Sequence, residues 1–192
     1  MPKKKKEPTK VLKYLESSGV KHDLLEHRTV YTAIDAANTM KKKFDEVAKS
    51  LLVKADKDYY VVLLPADNNL DMDKLKKVVA KDQGKDIKVV KIPGEKLARE
   101  VLKIKKDAMT AFGSLYKLPV IMEKKLEKTK KAVFASSSFN HSVEMAAKDF
   151  VKLENAVLGT FGIKKKIKNL PKPKKKPAKK KITKKKKTTK KK

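Results

Sequence analysis

Apolar residues between Val11 and Phe161 recur in two rhythms, one of helical and one of strand period, and the two alternate along the chain. Val11, Leu12 and Leu15 share one face of a helix that Thr9 can cap and that Ser17, Ser18 and Gly19 stop. A short extended piece follows around Leu24–Glu26. Thr32 opens a second helix, and Asp35 three positions on completes a capping-box-like pair. Ala33, Ile34, Ala36 and Ala37 give that helix a small, close-packing surface. The strongest strand pattern is Leu51–Lys54 and Tyr59–Leu64, joined by the polar turn Ala55–Asp58 into a hairpin. Val61–Leu64 reads as a buried central strand that Pro65 ends.

Asp71 is placed to cap a helix carrying Leu75, Val78 and Val79, after which Ile87–Ile92 returns as a strand. Pro93 and Gly94 open a further helix over Glu95–Lys103. Beyond it the pattern predicts strands at Val120–Met122, Ala132–Ala135 and Val143–Ala146, a short helix started by Asp149 with Phe150, Val151 and Leu153, and a closing strand over Val157–Phe161. There is no solenoid-type repeat. The expected fold is mixed α/β (α+β): a single domain with one principal mixed β-sheet or partly closed barrel, and surrounding helices.

Charge divides the chain into three parts. Eighteen lysines and no acidic residue occupy positions 164–192, whereas residues 11–163 carry 29 basic against 21 acidic residues. The segment 164–192 repels itself and offers little to bury, so it is expected to be a disordered lysine-rich tail. Residues 1–10 form a short basic leader, and 11–163 make one domain of ordinary size. A net charge of +30 points to polyanionic partners. On composition alone a linker-histone-like chromatin role stands equal to an RNA role. No apolar run approaches the roughly 20 residues of a membrane span, so no membrane partner is expected and the protein reads as soluble and cytoplasmic.

The absence of cysteine excludes disulfides, cysteine-containing zinc sites and thiol nucleophiles. His22, His27 and His141 lack ligand spacing, so no metal is expected. The six glycines form no phosphate-cradling loop between a strand and a helix, which leaves no expected cofactor. Lys49, in VAKSLLVK, precedes a strongly apolar strand and could enter a cleft partly desolvated, available to a carbonyl or carboxylate; equally, it could be a solvated strand-edge lysine. The loop Phe112–Val120 brings Gly113 and Pro119 together with aromatic residues, where a backbone could approach a ligand or simply turn into the next strand. Ser136, Ser137 and Ser138 are a polar rim or a turn. No Ser/His/Asp order is supported.

LLEHRTVYTAIDAA, VAKSLLVK, VVLLPADNNLDMDKL, FGSLYKLPVIMEKKL and VFASSS with AAKDFVKL follow one another over nearly all of Val11–Phe161. In that order they resemble the YbaK/prolyl-tRNA-synthetase-associated domain family, the trans-editing aminoacyl-tRNA deacylases. The resemblance implies hydrolysis of the ester joining a wrongly attached amino acid to the 3′ end of a tRNA. In that family the lysine matching Lys49 helps to hold the aminoacyl group, the glycine-containing loop shapes the pocket, and water attacks with help from the substrate's ribose hydroxyl. It implies Lys49 as catalytic residue, and His27, Thr32, Gly113, Ser114, Pro119, Ser136 and Ser137 as substrate-binding positions. Such chemistry needs positioning and carbonyl polarisation more than a protein nucleophile. The chain departs from the family at Thr110 and Ala111, where prolines are usual, at Ser137 for a glycine, at Phe139 for a frequent histidine and at Glu123 for an aspartate.

The expected partners are then the aminoacylated 3′ end of tRNA and, further, an aminoacyl-tRNA synthetase. Lys164, Lys165, Lys166, Lys174, Lys175, Lys176, Lys184, Lys185, Lys186 and Lys187 are the expected RNA contacts. Lysine without aromatic residues or arginine forks sets affinity and salt dependence rather than base readout, so no DNA sequence specificity is expected. Two other classes stay open: a noncatalytic RNA-binding or tRNA-synthetase-associated module, and a hydrolase of free or protein-linked aminoacyl esters whose tail serves localisation.

Overall fold

The computed structural model describes residues 9–103 and 108–165. Lys166, Lys174–Lys176 and Lys184–Lys187 of the expected RNA contacts, and residues 1–8 of the leader, lie outside the described residues.

The hairpin is the centre of the fold. Strand β2 (Ala48–Ala55) pairs antiparallel with β3 (Asp58–Pro65), from Ala48 opposite Pro65 to Ala55 opposite Asp58. The tight turn is Asp56–Lys57, with Asp56 in the left-handed region at φ 50, which a short polar side chain tolerates. β3 continues parallel to β6 (Val120–Glu123), which continues parallel to β9 (Val157–Gly159). With β5 (Val90–Lys91) on the outer side of β2, the sheet runs β5-β2-β3-β6-β9. A second sheet runs β1 (His22–Glu26), β8 (His141–Ala146) and β7 (Lys131–Ala135), all antiparallel. A two-stranded ribbon pairs β4 (Asn68–Leu70) with β10 (Gly162–Lys164). The mixed principal sheet is thus present, and the described strands form three sheets rather than a closed barrel.

Strand period puts alternate residues of β3 and β6 on opposite faces, and both faces are buried. Val61, Leu63, Val120 and Met122 join a core with Phe112, Phe134 and Phe150 and with Val11 and Leu15 of helix α1 (Thr9–Ser18). Within it Phe134 and Phe150 stack 3.9 Å apart, and Phe112 meets Phe150 edge-on at 5.5 Å. Such pairs add about 0.5–1.5 kcal/mol each beyond their burial. Tyr60, Val62, Leu64 and Ile121 face a second core, closed by Phe161 and by Leu75 and Val79 of helix α3 (Met72–Gln83). Asp71 caps α3 by accepting from the Lys74 amide at 3.0 Å, and Gly84 ends it in the left-handed region. Helix α2 (Ala33–Met40) packs Ala36 and Ala37 against Val47, Ala66 and Val133.

Several boundaries differ from the sequence reading, each for a local reason. The expected strand Ile87–Ile92 shrinks to Val90–Lys91 because the Lys88 and Val89 amides donate to the Asp56 carboxylate at 2.8–3.1 Å instead of to a strand. Those two amides hold the Asp56 carboxyl below the ordinary carboxylate range, Val89 contributing most. The helix expected from Asp149 is α6 (Ala147–Glu154): β8 runs straight into it, and burial of Ala147 and Phe150 carries its first turn. Helices α4 (Glu95–Leu102) and α5 (Lys124–Glu127) complete the described set, α4 ending one residue before the expected Lys103. Lys49 lies inside β2 rather than before it, because the ladder to β3 extends back to Ala48.

Two departures from the family pattern have structural explanations. The Ala111 amide donates to the Ala135 carbonyl at 2.9 Å, a bond proline could not make. Glu123, fully buried, accepts from the Phe161 and Gly162 amides at 2.7 and 2.6 Å, which seats the turn leading into β10.

Candidate functional site

The outer edge of β2 is flanked by backbone pairing at two places among the described residues: Val47, just before the strand, bridges Val133, and Lys54 and Ala55 pair with β5. Between them its edge is open, and a cavity of about 300 Å³ lies there. Its wall is built from Val47 and the start of β2 (Ala48–Leu51), the entry to α2 (Val30–Ala33), β7 residues Val133–Ala135, the Ala108–Met109 segment, and Ser138, Phe139 and Ser142. A second cavity of about 230 Å³ continues along the same edge past Leu52 to Ile92, Ala98 and Arg99, sharing Ser50, Leu51 and Met109 with the first.

Lys49 is the one cationic residue among those that line the larger cavity, and its ammonium sits beside Asn68, Asp67 and Lys165, behind that wall. It is half-buried opposite Leu64, between the buried Ala48 and Ser50, and its ammonium donates to the Asn68 carbonyl. Burial lowers its pKa first, the nearby Lys165 charge lowers it further, and Asp67 opposes both. An amine so placed carries its proton less tightly than an ordinary lysine and is poorly shielded by water, so it interacts more strongly with a carbonyl dipole.

Thr32 also lines the cavity. Its hydroxyl oxygen accepts from the Asp35 amide at 3.1 Å and donates to the Asp35 carboxylate at 2.7 Å, so both sides of the capping pair are spent on the helix entry. His27 stands one layer back: Nδ1 donates to the Arg28 carbonyl at 2.8 Å, and Nε2 accepts from the Ser142 hydroxyl at 3.0 Å. This fixes the ring's tautomer and points Ser142.

The remaining expected positions are elsewhere. Ser136 is fully buried and donates to the His141 carbonyl at 2.7 Å, closing its own loop. Ser137 adopts φ 61, the left-handed conformation that suits the glycine usual in the family, with its hydroxyl buried and unpartnered. Gly113 is needed where it stands, since a Cβ would meet the Leu118 carbonyl oxygen at 2.5 Å and Val120 at 2.7 Å. Its loop folds as a 3₁₀ turn, Gly113–Tyr116, over the buried Glu154, whose carboxylate accepts from the Ser114 amide at 2.9 Å. Pro119 is exposed and offers its carbonyl to Val61. Gly113, Ser114, Pro119, Ser136 and Ser137 are therefore not on the cavity wall. Lys164 and Lys165 are exposed at the end of β10, and the Lys165 amide donates to the Asp67 carbonyl at 2.8 Å.

Sequence reading passed over Tyr31, Ser142 and Met109, and did not single out Phe139 as lining residue. None of them carries a periodic signal, because the wall forms from segments that meet only in the folded chain. Among the described residues no group of three or more His, Asp or Glu could hold a metal, and no helix is long and apolar enough to cross a membrane.

Residues 27–153 match the model of the aminoacyl-tRNA editing domain. Among solved structures, the chain is similar to a candidate trans-editing enzyme for prolyl tRNA synthetase, at TM-score 0.70 and 19% identity, covering 81% of this chain and 96% of that one. A hypothetical protein matches at TM-score 0.67 and 20% identity, covering 80% and 99%. A candidate signal transduction protein from Marinobacter aquaeolei VT8 matches at TM-score 0.58 and 15% identity, covering 82% of this chain and 31% of that one. At these identities the likeness is one of fold. No curated protein matches.

Proposed function

Since the chain belongs to the aminoacyl-tRNA editing domain family, we propose that it is a trans-editing deacylase, which hydrolyses the ester between a wrongly attached amino acid and the 3′ end of a tRNA. One observation carries the reading: an open cavity with a half-desolvated lysine, Lys49, on its wall. The Lys49 ammonium holds and polarises the aminoacyl carbonyl, and water attacks the carbonyl carbon with help from the neighbouring ribose hydroxyl. The carbon–oxygen ester bond then breaks, the ribose oxygen takes a proton from the attacking water, and free amino acid and tRNA leave. Positioning and charge stabilisation of this kind are worth several powers of ten on an activated ester.

Thr32 shapes the wall directly. His27 acts through Ser142, and Ser136 and Ser137 set the course of the loop that carries Ser138 and Phe139. Gly113, Ser114 and Pro119 contribute by fixing the core behind the cavity. Lys164, Lys165 and Lys166, with Lys174–Lys176 and Lys184–Lys187, supply affinity for the tRNA backbone. An aminoacyl-tRNA synthetase is the natural partner of such an activity and the cytoplasm its compartment.

The decisive experiment presents purified full-length protein with tRNAs mischarged with alanine, serine and cysteine. Release of at least one amino acid is expected, and an intact panel sinks the enzymatic reading. Removing residues 164–192 is expected to weaken tRNA binding and flatten its salt dependence by about 0.7–0.9 in logarithmic slope per lost phosphate contact. The second reading, a noncatalytic RNA-binding or tRNA-synthetase-associated module, draws on the Lys49 ammonium being already engaged by the Asn68 carbonyl. Full tRNA binding with no turnover would favour it.

A further inference from the structure

Tyr31 is 77% exposed, more than any other large apolar side chain among the described residues. It stands on the rim of the larger cavity, and its ring leans on Phe139, also on the wall, with centroids 5.1 Å apart and planes inclined at 54°. The pair is carried by ordered backbone. The Val30 amide donates to the Phe139 carbonyl and the His27 amide to the Asn140 carbonyl, each at 2.9 Å. The Asn140 side-chain amide donates to the Thr29 hydroxyl at 2.8 Å, and on the other side Tyr31 runs directly into Thr32, the cap of α2. A ring braced on one side by Phe139 and otherwise left in water gains little from folding, whereas it offers a ligand a large flat face.

We propose that the Tyr31–Phe139 pair is a stacking platform for the unpaired nucleobase at the 3′ end of a tRNA, an inference that rests on the deacylase reading above. Three features select that occupant. The net charge of +30 favours a polyanion. The cavity of about 300 Å³ is at the small end for ligand sites, room for an aminoacyl group with the base left outside at the rim. The ester is borne by the ribose of the terminal nucleoside, so a base resting on Tyr31 directs the ester inward to the wall that Lys49 shares. Stacking on an aromatic face tolerates any base, as suits an end common to many tRNAs.

The test uses full-length protein and an uncharged acceptor-stem hairpin RNA with 2-aminopurine at its 3′-terminal position, at raised salt so that lysine–phosphate contacts contribute little. The wild type is expected to quench the fluorophore on binding. Tyr31→Ala should lose the quench and bind about tenfold more weakly, and Tyr31→Trp should restore both. The same RNA without its terminal base should bind the wild type about tenfold more weakly, and bind Tyr31→Ala no worse than the intact RNA does. A quench unchanged in Tyr31→Ala, or a missing base that costs nothing, overturns the platform. So does a Tyr31→Ala variant that loses a synthetase partner while its fluorescence response is intact, since that assigns the surface to protein. Because the RNA carries no ester, the readout is independent of turnover. Quenching without deacylation would keep the platform and refute the enzyme, and deacylation without quenching would do the reverse.

Discussion

Lys49 and Glu154 are both ionisable side chains taken out of water, and burial is the first cause of the pKa shift in each. Their surroundings differ. Lys49 borders an open cavity, whereas Glu154, 4% exposed, is sealed between the Gly113–Tyr116 turn, Tyr14 and the end of α6. Burial lowers the lysine and raises the carboxylate, as it must for groups of opposite charge. A perturbed group therefore marks a candidate site only where a ligand can reach it. By this measure the Gly113 turn is a structural clasp, and the candidate site is the open edge of β2.

The largest effect that could break this contrast is on turnover. Lys49→Ala is expected to lower deacylation kcat by about 100-fold or more while leaving the thermal midpoint close to that of the wild type. Unchanged turnover removes Lys49 from the mechanism. On the sealed side, Gly113→Ala should destabilise by about 2–3 kcal/mol, because the new methyl must displace the Leu118 carbonyl and Val120. Denaturant titration measures it, and a loss below about 0.5 kcal/mol would mean the turn can move.

Glu154→Gln sharpens the comparison through pH. A carboxyl whose folded pKa is raised contributes stability that is fully present below its unfolded pKa and lost as pH rises through the folded value. The glutamine variant should therefore match the wild type in acid and exceed it in melting temperature toward neutral pH. A gap that widens on acidification contradicts the assigned shift. The smallest effect is at Ser137. Relieving φ 61 and removing an unpartnered buried hydroxyl should make Ser137→Gly more stable by about 0.5–1 kcal/mol. A loss of stability would show that the hydroxyl has a role.

Much of the fold is legible in the sequence because its signals are local. The hairpin, the caps at Thr32 and Asp71 and the central position of β3 each follow from a few adjacent residues. The misread boundaries follow from distant partners: the Asp56 carboxylate shortens β5, and the ladder with β3 carries β2 back across Lys49. The cavity is the least legible part. Lys49 and Thr32 fall on its wall with residues from four other segments, and no window of the sequence contains that conjunction. Tyr31 gives no periodic signal because, among the described residues, only Phe139 leans on its ring and most of it stays exposed.

The two-residue turn of the β2–β3 hairpin also has a kinetic consequence. Closing it costs little chain entropy, whereas bringing Phe139 to Tyr31, or β6 alongside β3, closes loops tens of residues long. Lys49 is thus expected to acquire its strand early in folding and the opposite wall of its cavity late. Pulsed hydrogen exchange during refolding should protect the amides of 51–63 before those of 141–145, and the reverse order would place the nucleus in the outer sheet.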